Sequence, residues 1–140
     1  MSKLWAESGC SKSRKNGLKN ISLYCDEKGK VIESLAIIPA RGGSKSIKSK
    51  NIKIFNGKPL IAWTIEQALA SKISRVIVST DNEEIKEVAL SYGAQVPFLR
   101  TSSLATDTVG IEPVLINVLE FLKDNELYDP KCIALLMPTS

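Results

Sequence analysis

The run Leu35-Ala-Ile-Ile38 is wholly apolar, stops at Pro39 and opens into a loop rich in glycine, serine and lysine. A strand without polar alternation has no face to offer water, so it belongs in the middle of a sheet covered on both sides. Arg75-Val-Ile-Val-Ser79 has the same character, and residues 132–137 supply another such run. Residues 95–99 read as a further, shorter strand interrupted by Pro97. Between these runs the period changes from two to 3.6. Ile61, Ile65, Ala68 and Leu69 form one helical stripe, introduced by Pro59 in a position that a first helical turn tolerates. Ile85, Val88, Ala89 and Tyr92 form a second, stopped by Gly93, and Ile111, Val114, Leu115, Val118, Leu119 and Leu122 form a third. Alternation of strand and helix predicts an α/β fold, a Rossmann-like parallel sheet with flanking helices. Ligands in such sheets sit beyond the carboxyl ends of the strands. The loops after Ile38, Ser79, Leu99 and Met137 are therefore the functional edge.

Residues 1–34 read differently. Ser, Lys, Asn and Gly dominate there and apolar periodicity is weak, so an irregular or disordered extension is expected, with a turn at residues 25–29. The domain proper is expected to span residues 35–140. No apolar run approaches the roughly 20 residues of a membrane span, and residues 1–17 lack the apolar core of a signal peptide. Cys10, Cys25 and Cys132 are scattered without CxxC spacing, and read as buried or idle thiols in a reducing, cytoplasmic setting.

The chain contains no histidine. That excludes Ser-His-Asp and Cys-His hydrolysis and most zinc chemistry. What remains is Lys, Arg, carboxylates and backbone N–H groups, and these are unevenly placed. Residues 36–58 carry six basic side chains (Arg41, Lys45, Lys48, Lys50, Lys53 and Lys58) and no acidic one, within a net charge of only +4. Such a local field attracts a polyanion. Gly42 and Gly43 allow a ligand close to the backbone, Arg41 offers a planar fork for phosphate oxygens, and Lys45 and Lys50 act as point charges. The combination suits a triphosphate, although the spacing is neither a Walker A loop nor the glycine pattern of dinucleotide folds. A solvated basic surface loop has the same composition. Nucleic acid is disfavoured, because no aromatics are interleaved with the basic residues to stack bases.

The segment Ile37-Ile-Pro-Ala-Arg-Gly-Gly-Ser-Lys45, with Lys50-Asn-Ile52 and Asn56-Gly-Lys-Pro-Leu-Ile61, resembles the opening signature of the acylneuraminate cytidylyltransferases. Val78-Ser-Thr-Asp81, Tyr92-Gly-Ala94, Leu99-Arg100, Leu104-Ala-Thr-Asp107 and Leu136-Met-Pro-Thr-Ser140 continue the resemblance in the family's order. It implies a fold of the nucleotide-diphospho-sugar transferase type and transfer of CMP from CTP to a nonulosonic acid, releasing pyrophosphate with the help of Mg²⁺. By the same resemblance Arg41 and Lys45 are the catalytic pair. Arg41, Gly42, Gly43, Lys45, Lys50, Asn51, Arg100 and Asp107 would bind the nucleotide, with Asn51 also reaching the sugar. The Mg²⁺ ligands are expected beyond residue 140, which makes the fold an apparently truncated one, and the chain alone is expected to release no pyrophosphate. The implied partners are CTP and a nonulosonic acid, with no nucleic acid or membrane, and a homodimer for a full-length protein. A nucleotidyltransferase for another acid sugar such as Kdo, and a non-catalytic nucleotide-binding remnant, are the alternatives.

Two carboxylates keep double readings. Asp81 opens the capping-box pattern Asp81-Asn-Glu-Glu84 and is an N-cap or a functional group. Asp107 orients a ligand or caps the helix that follows. The chain also departs from the family pattern. Ser46 and Lys48 stand in place of Gly and Pro, Thr108-Val-Gly-Ile111 in place of a serine-rich stretch, and Met137 in place of a Gln that contacts the sugar.

Overall fold

The computed structural model describes Tyr24–Cys25, residues 31–43 and residues 49–138. Two short strands, β1 (Tyr24–Cys25) and β2 (Val31–Ile32), pair antiparallel, so part of the stretch expected to be irregular is a small ribbon. The remaining expectations for residues 1–30 lie outside the described residues. β3 (Ser34–Pro39) is the central strand of the main sheet. A tight hairpin follows, β4 (Ile54–Phe55) and β5 (Lys58–Pro59), joined by Asn56 and Gly57, both at positive φ. Helix α1 (Leu60–Ala70) leads to β6 (Arg75–Ser79), α2 (Glu83–Ser91), α3 (Ile111–Glu126) and β7 (Cys132–Leu135).

The sheet is parallel, in the order β6-β3-β7, with Leu35 opposite both Arg75 and Ile133. The alternation of side chains along β3 sends its residues into two apolar layers. Ala36, Ile38 and Ala40 pack with Ile61, Ile65, Ile85 and Ala89 of α1 and α2. Leu35 and Ile37 pack with Val118 and Leu122 of α3 on the opposite face. Both faces are therefore covered by helices, as a strand with no polar alternation requires.

Residues 95–99 do not form the regular strand expected of them. Gln95 and Leu99 make isolated parallel bridges to Ile77 and Thr80. Pro97, between them, has no N–H to give to a ladder. The β7 strand also ends at Leu135, two residues earlier than expected. Leu69, placed in the α1 stripe, is nearly half exposed, and Ala62 takes its place in the core.

Asp81 is not the cap of α2. That role falls to Asn82, whose side chain accepts from Ile85 N–H at 3.1 Å. Nor does Asp107 cap α3, which starts after Gly110 without a side-chain cap. Gly93 terminates α2 with φ +94°, a conformation that side chains other than glycine's rarely adopt. Of the three cysteines, Cys132 is a free thiol and exposed, not buried. No helix among the described residues is long and apolar enough to cross a membrane.

Candidate functional site

β3 carries its chain to the sheet's carboxyl edge at Pro39, and β7 delivers Met137 and Pro138 to the same edge. β3 pairs with β6 on one side and β7 on the other, and the helix after β3 covers one face of the sheet while the helix before β7 covers the opposite face. Such a switch point leaves a crevice. A cleft of about 390 Å³ lies there.

Arg41, Lys50, Asn51, Arg100 and Asp107 all line this cleft, although the sequence separates the first from the last by more than sixty residues. Arg41 leaves β3 and forms an ion pair with Asp107. Lys50 and Asn51 are placed by a single 3-10 turn, Lys50–Ile52. Asn51 is buried, and its Nδ2 donates to the Arg41 carbonyl at 3.1 Å.

Arg100 is buried to 7% exposure. Its guanidinium donates to Ser79 O at 3.0 Å and to Leu104 O at 3.3 Å, tying the end of β6 to the start of the loop that carries Asp107. Its Nε–H has no partner among the described residues. Burial holds the Arg100 pKa below its ordinary value, with the Asp81 charge opposing that shift and Arg41 adding to it. A guanidinium remains protonated at any working pH, so the cost of burying it is met by hydrogen bonds and by anions. The Arg100 Nε–H is itself shielded from solvent, while other parts of the residue line the cleft.

Gly42 and Gly43 do not line the cleft. Gly42 N–H is already committed, donating to Asp81 Oδ1 at 2.8 Å. A Cβ at Gly42 would come within 2.9 Å of the Asn82 side chain. Gly42 is thus required by close approach of a neighbouring loop, where the sequence pointed to close approach of a ligand. Lys45, Ser46 and Lys48 lie outside the described residues.

One wall was not foreseen. Leu104, Val109, Ile111 and Val114 line the cleft as well, together with Thr106. Ile111 and Val114 stood in the third helical stripe and Leu104 in the Leu104-Ala-Thr-Asp107 block, but nothing in the sequence pointed them at a cleft. The cleft therefore brings three cations, each from a different segment, together with several apolar side chains. That combination suits an ionic group joined to a flat, weakly polar ring. Among the described residues no group of three His, Cys, Asp or Glu side chains is arranged to hold a metal ion. Asp81 and Asp107 are both engaged, one by Gly42 N–H and the other by Arg41.

A family model described as Cytidylyltransferase matches residues 35–127. Over 103 residues the chain is 50% identical to a pseudaminic acid cytidylyltransferase of Campylobacter jejuni, covering 72% of this chain and 44% of that protein. It is 46% identical over 108 residues to a CMP-N,N'-diacetyllegionaminic acid synthase of Legionella pneumophila, covering 76% and 46%. The N-acylneuraminate cytidylyltransferase of Escherichia coli is 44% identical over 107 residues, covering 76% of this chain and 24% of that one. The chain spans less than half the length of these curated relatives. Among solved structures, a CMP:2-keto-3-deoxy-manno-octonic acid synthetase complexed with CTP shares the fold. Its TM-score is 0.61 at 21% identity, over 76% of this chain and 40% of that one.

Proposed function

Because this chain belongs to the cytidylyltransferase family, we propose that its cleft takes CTP, and that the activity it serves is transfer of CMP to a nonulosonic acid with release of pyrophosphate. The observation that carries this reading is the convergence of Arg41, Lys50 and Arg100 on one cleft that Leu104, Val109, Ile111 and Val114 also line. In the transfer, the sugar's anomeric oxygen bonds to the α-phosphorus, and the bond to the β-phosphate breaks. Reaction of this kind needs alignment and charge neutralisation more than a covalent helper, and a chain without histidine can supply both.

In this reading Arg41 exchanges Asp107 for phosphate oxygens, which its planar fork grips in two places. Lys50 adds a point charge, and Arg100 adds a second basic contact on the base or ribose side. Lys45 is assigned to the triphosphate by resemblance. Mg²⁺ belongs to the proposal as the usual companion of a triphosphate; among the described residues no group of three His, Cys, Asp or Glu side chains gathers to hold it, and its contacts would come largely from the phosphates. A cytoplasmic setting, and a homodimer for a full-length protein, form part of the same proposal.

The names of the relatives favour a nonulosonic acid as acceptor. Met137 at the lip of the cleft replaces an amide with a thioether, so the sugar side is less polar than the family pattern implies. Calorimetric titration of CTP, ATP and GTP is the test. CTP should bind tightest; equal affinities would sink the cytidylyltransferase reading. Pyrophosphate release in the presence of CTP and the sugar distinguishes a transferase from a module that only binds.

A further inference from the structure

The peptide joining Arg41 to Gly42 is held at both of its polar ends. Its carbonyl accepts from Asn51 Nδ2 at 3.1 Å, and its N–H donates to Asp81 Oδ1 at 2.8 Å. A peptide unit is planar, so partners on its two opposite edges fix the rotation of the whole plane. That sets the direction in which the Arg41 side chain leaves the backbone. The Asn82 side chain fills the space where a Gly42 Cβ would stand, which brings the two loops together closely enough for the Asp81 bond to form.

We infer that Asp81 is a positioning residue, which acts with Asn51 to clamp the Arg41–Gly42 peptide and so presents the Arg41 guanidinium to the cleft. Its importance for binding rests on the reading of that cleft as a nucleotide site. Asp81 does not line the cleft and is not the cap of α2, so neither ligand contact nor helix capping accounts for it. A carboxylate accepts without donating, and a bond to an ionised acceptor is about twice as strong as a neutral one. Asp81 also stabilises the charge of the buried Arg100 guanidinium. Its two duties, acceptor for Gly42 and counter-charge for Arg100, are separable by mutation.

Asp81→Asn keeps an oxygen able to accept from Gly42 N–H and removes the charge, whereas Asp81→Ala removes both. The experiment uses the ¹⁵N-labelled 140-residue chain. It follows hydrogen exchange at Gly42 N–H and Arg41 Nε–H without ligand, and then CTP affinity. Asp81→Ala should speed Gly42 exchange roughly tenfold or more, the equivalent of one lost charge-assisted bond. Arg41 Nε–H should lose protection in parallel. CTP affinity should fall by about tenfold in Asp81→Ala, and by no more than about threefold in Asp81→Asn. Asn51→Ala, which touches only the other end of the peptide, should also speed Gly42 exchange, and it decides the matter if Asp81→Ala does not fold. Unchanged Gly42 exchange in either alanine variant overturns the clamp. Equal losses in Asp81→Asn and Asp81→Ala overturn it too, leaving a role of charge alone. If the wild-type chain fails to bind CTP, the nucleotide reading falls, while the two exchange rates still decide the clamp.

Discussion

β3 and β7 are neighbours in one sheet and look alike as sequence, yet they live in different surroundings. Leu35, Ala36, Ile37 and Ile38 have no exposed surface, whereas Ile133 and Leu135 are 41% and 40% exposed. Both runs are apolar, so composition does not separate them. Position does: β3 has β6 on one side, β7 on the other and helices over both faces, while β7 pairs with β3 alone among the described strands. The same contrast divides the cleft. Its β3 side is a network in which Asn51, Asp81 and Arg100 hold backbone groups of loops and strand ends. Its β7 side contributes Met137 and Pro138, with Met137 itself 40% exposed.

The largest expected effect breaks the comparison at its core. Ile37→Ala should lower unfolding free energy by about 2–5 kcal/mol, since a fully buried side chain leaves a cavity that its neighbours only partly fill. Leu135→Ala, in register with Ile37 on the adjacent strand, should cost less than about 1 kcal/mol. Urea unfolding of both variants measures the difference, and equal losses would mean that β7 is covered in solution.

A smaller effect is expected at the β6 end of the network. Asn82→Ala removes the cap of α2 and should cost about 1 kcal/mol. The same substitution at Glu83, exposed one residue further along, should fall within roughly 0.5 kcal/mol. Thermal melts would rank the two, and a reversed order would return the capping role to Asp81.

The smallest effect sharpens the comparison where β6 begins. Arg75 there holds Glu126 of α3 through two hydrogen bonds, at 2.6 and 3.1 Å. The hydrogen bond from Arg75 keeps the Glu126 carboxyl below its ordinary value, with desolvation opposing and the Arg75 charge assisting. A depressed folded-state pKa contributes stability above the unfolded value of about 4.3, and that contribution disappears as pH falls through the folded value. Glu126→Gln should therefore cost less than about 1 kcal/mol at neutral pH and should flatten the loss of stability on acidification below about pH 4.3. Melts across pH 3 to 7 would show parallel curves if the pair contributes nothing.

Much of the fold was legible because both kinds of period are strong where tertiary packing agrees with them. β3, β6 and the stripes of α1, α2 and α3 stand where the periodicity placed them. The sequence could not place the cap of α2, since Asp81 and Asn82 are both good caps and a shift of one residue leaves the pattern intact. It also gave no warning that Gly42 answers to Asn82. Glycine records that a Cβ is excluded, but not by what. Residues 95–99 kept the apolar content of a strand while Pro97 removed a ladder donor, and burial cannot restore a missing N–H. Arg41, Lys50, Asn51, Arg100 and Asp107 were singled out beforehand and do meet in one cleft. That Leu104 and Val109 line the same cleft depends on how the loop after Leu99 folds back, which no local pattern records.

In the proposed function Arg41, held in place at the carboxyl end of β3, is the specific anchor of the nucleotide. Calorimetric titration of CTP into wild type, Arg41→Ala, Arg41→Lys and Lys53→Ala tests it most directly. Lys53 is the control, an exposed cation of the same basic segment that does not line the cleft. Arg41→Ala should cost roughly 2–5 kcal/mol of binding, as expected for one partner of a desolvated charge pair. Arg41→Lys should recover part of that loss, because lysine keeps the charge without the planar fork, and Lys53→Ala should change little. Equal losses in Arg41→Ala and Lys53→Ala would contradict the account, leaving diffuse positive charge in place of a built site.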